Sequence, residues 1–218
     1  MSDDTHAEAG TEAAIPISLV PSEGLDEALD RLDPVHAAWA RANGFRGRLG
    51  SSLTLPGPNG TVERVLVGWG DAAAHRRERF PLGSFAASAP AGTYRLDTAL
   101  EAAAAERAAL GWLLGRYRFE RYKSAGEETE AHLLSPEGVD ARRLGLVAEG
   151  VFIARDLINT PASDMGPGGL EAATRRLAER HGAEVECTTG EALRERMFPL
   201  IHAVGRAGCE APRLIDMT

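Results

Sequence analysis

Chemistry in this chain of 218 residues would have to come from its histidines, its two cysteines, its lysine, or a cluster of carboxylates and arginines. The six histidines are His6, His36, His75, His132, His181 and His202. A zinc-protease helix needs an HExxH pair, so that two rings reach one metal from one face. No pair here has that spacing, and each histidine reads as a surface or satisfied core residue. No serine sits in a G-x-S-x-G elbow. Cys187 and Cys209 are too few and too far apart for a metal knuckle and read as reduced, structural thiols. Of the 24 basic residues only Lys123 is lysine, so any step that needs a lysine has a single candidate. The arginine bias itself reads as the mark of a GC-rich genome.

Two glycine patterns invite a phosphate reading. Gly68-Trp69-Gly70 follows a predicted strand, but it lacks a third glycine and runs into Asp71, whose charge repels phosphate. Gly166-Pro167-Gly168-Gly169 opens a helix and presents backbone N–H groups, which helix capping explains as well. The most distinctive stretch is Ala154 to Pro167, ARDLINTPASDMGP. Arg155, Asp156 and Asp164 can be read there as a catalytic cluster. The preferred reading is structural: ion pairing by Arg155 and Asp156 fixes a helix end, and Asp164 helps to cap the next helix.

The elements that must position these residues follow from periodicity and punctuation. Ile15–Val20 reads as a strand, followed by a helical stretch from about Leu25 to Ala42 that is interrupted near Pro34. Arg48–Leu55 and Val62–Val67 read as strands joined by a turn with an Asn59-Gly60 hairpin signal. A short helix through Arg76 to Arg79 and a strand near Thr93–Leu96 come next. Leu110, Leu113, Leu114 and Tyr117 mark a helix from Thr98 to about Arg118, and His132–Leu134 is a further short strand. The second long helix, Glu137–Ile158, carries a core-facing stripe of Leu144, Val147, Val151, Ala154 and Ile158. Asn159-Thr160-Pro161 stops it. Pro167 starts and Gly182 ends a third helix with an apolar face of Leu170, Ala173, Leu177 and Ala178. Two strands, Ile201–Val204 and Leu214–Met217, close the chain. The alternation implies an α/β fold with helices covering a mixed sheet, and a domain boundary at 135–140.

Composition bounds the partners. Hydrophobic residues make up 44% and charged residues 26%, as in an ordinary globular protein. The net charge of −8 argues against nucleic acid. The clusters Arg76/Arg77/Arg79 and Arg116/Arg118/Arg121/Lys123 read as solvated helix faces. No apolar run is long enough to cross a bilayer. The acidic, polar start, residues 1–14, lacks the features of a signal peptide and reads as a disordered leader of a cytoplasmic protein.

The ARDLINTPASDMGP stretch also closely resembles the opening of the catalytic domain of the leucyl aminopeptidase (cytosol aminopeptidase) family, peptidase family M17. Three further stretches agree. GWLLGRYRFERYKS (Gly111 to Ser124) resembles the end of the family's N-terminal domain, and EGVFIARDL (Glu149 to Leu157) its interdomain helix. PLIHAVGRAGCEAPRLIDM (Pro199 to Met217) resembles a strand pair ahead of the active site. The resemblance implies a macro-like N-terminal α/β domain over 15–136, a linking helix over 137–160 and the start of a catalytic metallopeptidase domain over 161–218. It also implies release of N-terminal residues from peptides, a homo-hexamer, and two divalent metals (manganese, zinc or magnesium). In the mechanism the resemblance implies, two metals about 3.5–4 Å apart would hold a bridging hydroxide and polarise the scissile carbonyl, and a lysine and an arginine would stabilise the charge of the tetrahedral intermediate.

The family's metal-binding lysine and aspartate lie in a segment like VGKGxxFDxGG that follows the RLID strand. The resemblance places that segment after Thr218. Neither Lys123 nor Asp216 occupies a matching position, so no catalytic, cofactor-binding or metal residue is assigned. Two expectations follow. One is a fragment of an M17 enzyme, inactive alone, with exposed apolar faces on an incomplete catalytic domain. The other is a free-standing, non-catalytic macro-like module for binding or assembly.

Overall fold

The computed structural model describes residues 14–77, 80–123, 126 and 129–218. The expected leader up to residue 13 lies outside the described residues, as do Arg79 and Ser124. Backbone packing divides the chain into a unit ending at Phe152 and a unit Ile153–Thr218.

The first unit holds strands β1 (Ile15–Pro21), β2 (Ser52–Pro56), β3 (Val62–Gly70), β4 (Gly92–Leu96) and β5 (Ala131–Leu133). They form one sheet in the order β2-β3-β1-β4-β5. All neighbours are parallel except the β2–β3 hairpin. The mixed α/β class is therefore the one expected. Alternation along each strand sends side chains to two cores. Ile17, Leu19, Val65 and Val67 pack on one face with Phe85, Tyr94 and Trp112. Val20 and Leu66 pack on the other with Leu29, Ala40, Phe45 and Leu55.

Helices α1 (Leu25–Asp30) and α2 (Pro34–Ala42) supply cover for the second core. Asp33 caps α2 by accepting a 2.9 Å bond from the Val35 N–H, and Pro34 stands in its first turn. The proline therefore starts a helix as well as breaking one. Between β2 and β3, Asn59 (φ 64°) and Gly60 (φ 77°) are both left-handed, the conformation that the Asn-Gly signal anticipates. Helix α3 (Ala72–Arg77) is followed by α4 (Gly83–Ala86), a short helix not anticipated from sequence. Helix α5 (Ala102–Gly115) is shorter at both ends than its apolar pattern suggested. Thr98 is not helical because its Oγ1 accepts the Leu19 N–H at 2.9 Å, tying it to β1.

Helix α6 (Ala141–Asn159) starts later than Glu137. Asp140 sets the start by accepting the Arg143 N–H at 2.9 Å. Its expected core-facing stripe is only partly covered. Leu144 is buried, whereas Val147 is 40% and Ile158 81% exposed.

The second unit contains α7 (Pro167–His181), β6 (Val185–Thr189), α8 (Ala192–Glu195), α9 (Pro199–Gly205) and β7 (Arg213–Met217). Helix α7 has the expected bounds, with Gly182 left-handed at its end (φ 69°). Its expected apolar face is only partly covered too: Ala178 is buried and Leu170 is exposed. The expected strand at Ile201–Val204 is instead part of α9. Pro199 begins that helix, and the His202 N–H bonds the Phe198 carbonyl. Strand β7 pairs antiparallel with β6, so the expected strand pair within 199–217 is one helix and one strand. Among the described residues, no helix is long and apolar enough to cross a membrane.

Candidate functional site

The 154–167 connection is built around Thr160, which is buried. Its N–H and its hydroxyl both donate to the Asp156 carbonyl, at 3.1 and 2.6 Å, closing the end of α6. The Pro161 carbonyl accepts the N–H groups of Asp164 and Met165, each at 2.9 Å, which makes a tight turn. Gly166 is the cap residue of α7, not Asp164. The free N–H of Gly168 is satisfied from far along the chain, by Glu210 Oε2 at 2.8 Å. A Cβ on Gly168 would stand 2.8 Å from that same oxygen, so any other residue there would make the Glu210 carboxylate shift. Glu210 thus supplies a long-range cap to the start of α7. Arg155, Asp156 and Asp164 each have interaction partners.

A second long-range device holds α7 to β7. Glu171 receives Arg213 on Oε2 and the Arg175 Nε–H on Oε1 at 2.9 Å. Hydrogen bonds from Arg213 first, then Arg175 and Cys187, lower the Glu171 carboxyl to about 2. The Arg213 guanidinium is raised in turn by its bond to Glu171. Both devices position the backbone around the NTPASDMGP segment, and neither supplies a reactive group.

The other candidates do not converge. Lys123 is exposed in the first unit. Asp216 is exposed on β7, opposite Glu186. His36 is buried, with Nε2 3.3 Å from the Pro56 carbonyl oxygen. His75 lies against the Trp69 ring, and His202 Nε2 is 3.0 Å from Glu191 Oε1. Cys187 and Cys209 are free thiols. Gly68 and Gly70 admit close backbone packing by the 47–51 segment, and Asp71 caps α3 by accepting the Ala74 N–H at 2.7 Å. Among the described residues, no group of three or more His, Cys, Asp or Glu could hold a metal ion. The described residues therefore do not fit a two-metal centre.

One concavity in the first unit went unread in the sequence. A cleft of about 710 Å³ opens beside Ser18–Pro21 of β1, Asp97–Ala99 after β4, and α1. The chain leaves β1 toward β3 on one side and β4 toward β5 on the other, a topological switch point where crevices form. Arg64 bridges Ser18 Oγ and Asp97 there, and Arg95 holds the second Asp97 oxygen at 3.1 Å. Burial works against the Asp97 charge, but the bonds and charges of Arg64 and Arg95 outweigh it and hold the carboxyl below its usual range. Carboxylates (Glu23, Glu27, Asp33, Glu63, Asp97) outnumber the two guanidinium groups, Arg31 and Arg64, along this lining. It is a poor seat for a polyanion.

A two-unit α/β chain with a mixed five-stranded sheet and an NTPASDMGP connection has known counterparts. Residues 15–136 match the M17 aminopeptidase N-terminal domain, and residues 152–218 match the catalytic domain of the cytosol aminopeptidase family. A probable cytosol aminopeptidase of Streptomyces coelicolor is 30% identical over 234 residues, covering 90% of this chain and 44% of its own length. One from Geobacter is 34% identical over 208 residues, covering 81% of this chain and 42% of its own length. The crystal structure of the Coxiella burnetii cytosol aminopeptidase superposes with a TM-score of 0.81 at 33% identity, over 95% of this chain and 44% of that one. A bottromycin maturation enzyme, BotP, solved in complex with Mn, gives 0.71 at 28% identity over 94% of this chain and 45% of its own.

The chain belongs to the M17 aminopeptidase family. It spans less than half the length of the curated relatives it matches.

Proposed function

We propose that these residues are the N-terminal portion of a metal-dependent, leucyl-type aminopeptidase of the cytoplasm, and that they do not hydrolyse peptides by themselves. The matched domains, in family order, support the activity class. The observation that carries the second clause is the side-chain geometry: no described group of carboxylates, histidines or thiols converges on a possible metal position. In this reading the intact enzyme takes peptides as substrates, uses two divalent metals and assembles as a homo-hexamer. It binds neither nucleic acid nor membrane.

The test is hydrolysis of a leucine anilide with added Mn²⁺. The 218 residues are compared with the same residues fused to the remainder of an M17 catalytic domain. Hydrolysis is expected only in the fusion, and turnover by the short chain would overturn the proposal. The cleft in the first unit favours a second reading, a non-catalytic binding module. Its acidic lining opposes phosphate ligands, so calorimetric titration with ADP-ribose is expected to give no heat.

A further inference from the structure

The cleft of the first unit carries charge that the protein itself leaves unpaired. Every residue along its lining falls within 15–136, the N-terminal domain match, so one domain builds it alone. Its volume of about 710 Å³ suits a small molecule, and it opens where β1 switches between β3 and β4. Most of its charged groups are engaged. Arg64 and Arg95 hold Asp97, Asp33 caps α2, and Glu63 stands 3.9 Å from His36 Nε2. Three others line the cleft, Glu23, Glu27 and Arg31, whose side chains form no hydrogen bond or ion pair with any described residue. Glu27 and Arg31 are four residues apart along α1 and its C-cap, in the order that favours a helical ion pair, yet that pair stays open. Ala28 and Leu32, packed in part on the second core, give the same lining an apolar strip.

The unpaired groups are two carboxylates and one guanidinium, so their complement is a ligand with two cationic groups and one carboxylate. We propose that the cleft binds a free basic α-amino acid of the arginine or lysine type. Arg31 donates to its carboxylate, and Glu23 and Glu27 accept from the α-ammonium and from the cationic end of the side chain. The methylenes between those groups lie on Ala28 and Leu32. A neutral amino acid lacks the second cation, and a diamine leaves Arg31 facing an ammonium group. The assignment stands on the cleft and makes no use of peptide hydrolysis, so this proposal and the activity reading fail separately.

The test is calorimetric titration of the full chain with L-arginine, L-lysine, agmatine and L-leucine at an ionic strength of about 0.15 M. L-arginine or L-lysine is expected to give a saturable one-to-one heat. Agmatine, which lacks the carboxylate, and L-leucine, which lacks the second cation, are each expected to bind about fivefold more weakly or worse. Glu27→Gln should weaken the basic amino acid by a similar factor. Arg31→Gln should abolish the preference for L-arginine over agmatine, a change of selectivity that partial unfolding does not mimic. Both positions are exposed, and circular dichroism checks that each variant keeps its fold. Absence of saturable heat with both L-arginine and L-lysine would overturn the proposal. Agmatine binding the wild type as tightly as L-arginine would reduce the cleft to a general attraction for cations and also overturn it. So would affinities and selectivity left unchanged in both variants, which would place the bound amino acid elsewhere.

Discussion

Replacing Gly115 by alanine should destabilise the first unit, although alanine is the better helix former. A Cβ at Gly115 would stand 2.8 Å from Gly83 Cα and 2.9 Å from its carbonyl carbon, backbone atoms that cannot rotate aside. Forcing α4 away from α5 in this way costs about 1–3 kcal/mol. Against it stands the helix preference for alanine, at most about 1 kcal/mol and less at the last helical residue. The net loss is about 1–2 kcal/mol. Gly145 provides the opposite case. It lies within α6 with no atom within 4 Å of an added Cβ, so only the helix preference acts and Gly145→Ala should gain about 0.5–1 kcal/mol. In a unit of this size 1 kcal/mol moves Tm by about 2–4 °C. Gly115→Ala should therefore melt roughly 2–8 °C below the wild type, and Gly145→Ala about 1–4 °C above it. Trp39, Trp69 and Trp112 all lie in the first unit, so thermal melts followed by tryptophan fluorescence report that unit alone. A Gly115→Ala protein as stable as the wild type would refute the close-contact reasoning.

Three further outcomes follow from named contacts. The Glu171 carboxyl titrates near 2 when folded against an ordinary value of 4.5, so its contribution is fully present above pH 4.5 and is lost as pH falls toward 2. Acid unfolding of the second unit, followed by far-ultraviolet circular dichroism, should lose part of its slope in that window in Glu171→Gln. Tyr94 donates to the Pro90 carbonyl at 2.8 Å from a buried ring, so Tyr94→Phe should cost about 1 kcal/mol in urea unfolding. Glu210→Ala removes the cap on the Gly168 N–H and should cost about 0.5–2 kcal/mol, with faster amide exchange confined to the first turn of α7.

Local punctuation made much of this architecture legible. Pro167 and Gly182 bracket α7, and Asn59-Gly60 closes the β2–β3 hairpin, because each residue type favours a backbone conformation the structure uses. Failures arose where local and tertiary information diverge. Ile201 and Val204 are β-branched and suggest a strand, yet α9 is only seven residues long, too short for helical periodicity to declare itself. The Glu210 clasp and the Glu171–Arg213 bridge each join residues 42 positions apart, which no spacing rule reveals. The cleft beside β1 depends on which side each crossover takes. The NTPASDMGP motif identified the family, while its physical role, a turn locked from the distal end of the chain, emerged only with Glu210 in place.

The lengths of the five strands bear on how this protein behaves when concentrated. The nine-residue β3 is interior, whereas the sheet ends in a three-residue β5 on one side. On the other side β2 ends at Pro56, with the register broken between Leu55 and Pro56. A proline and a bulge on one rim and a stub on the other leave little backbone for a foreign strand to pair with. The first unit is thus guarded against amyloid-like and strand-swapped association, and aggregates formed on heating should nucleate elsewhere in the chain.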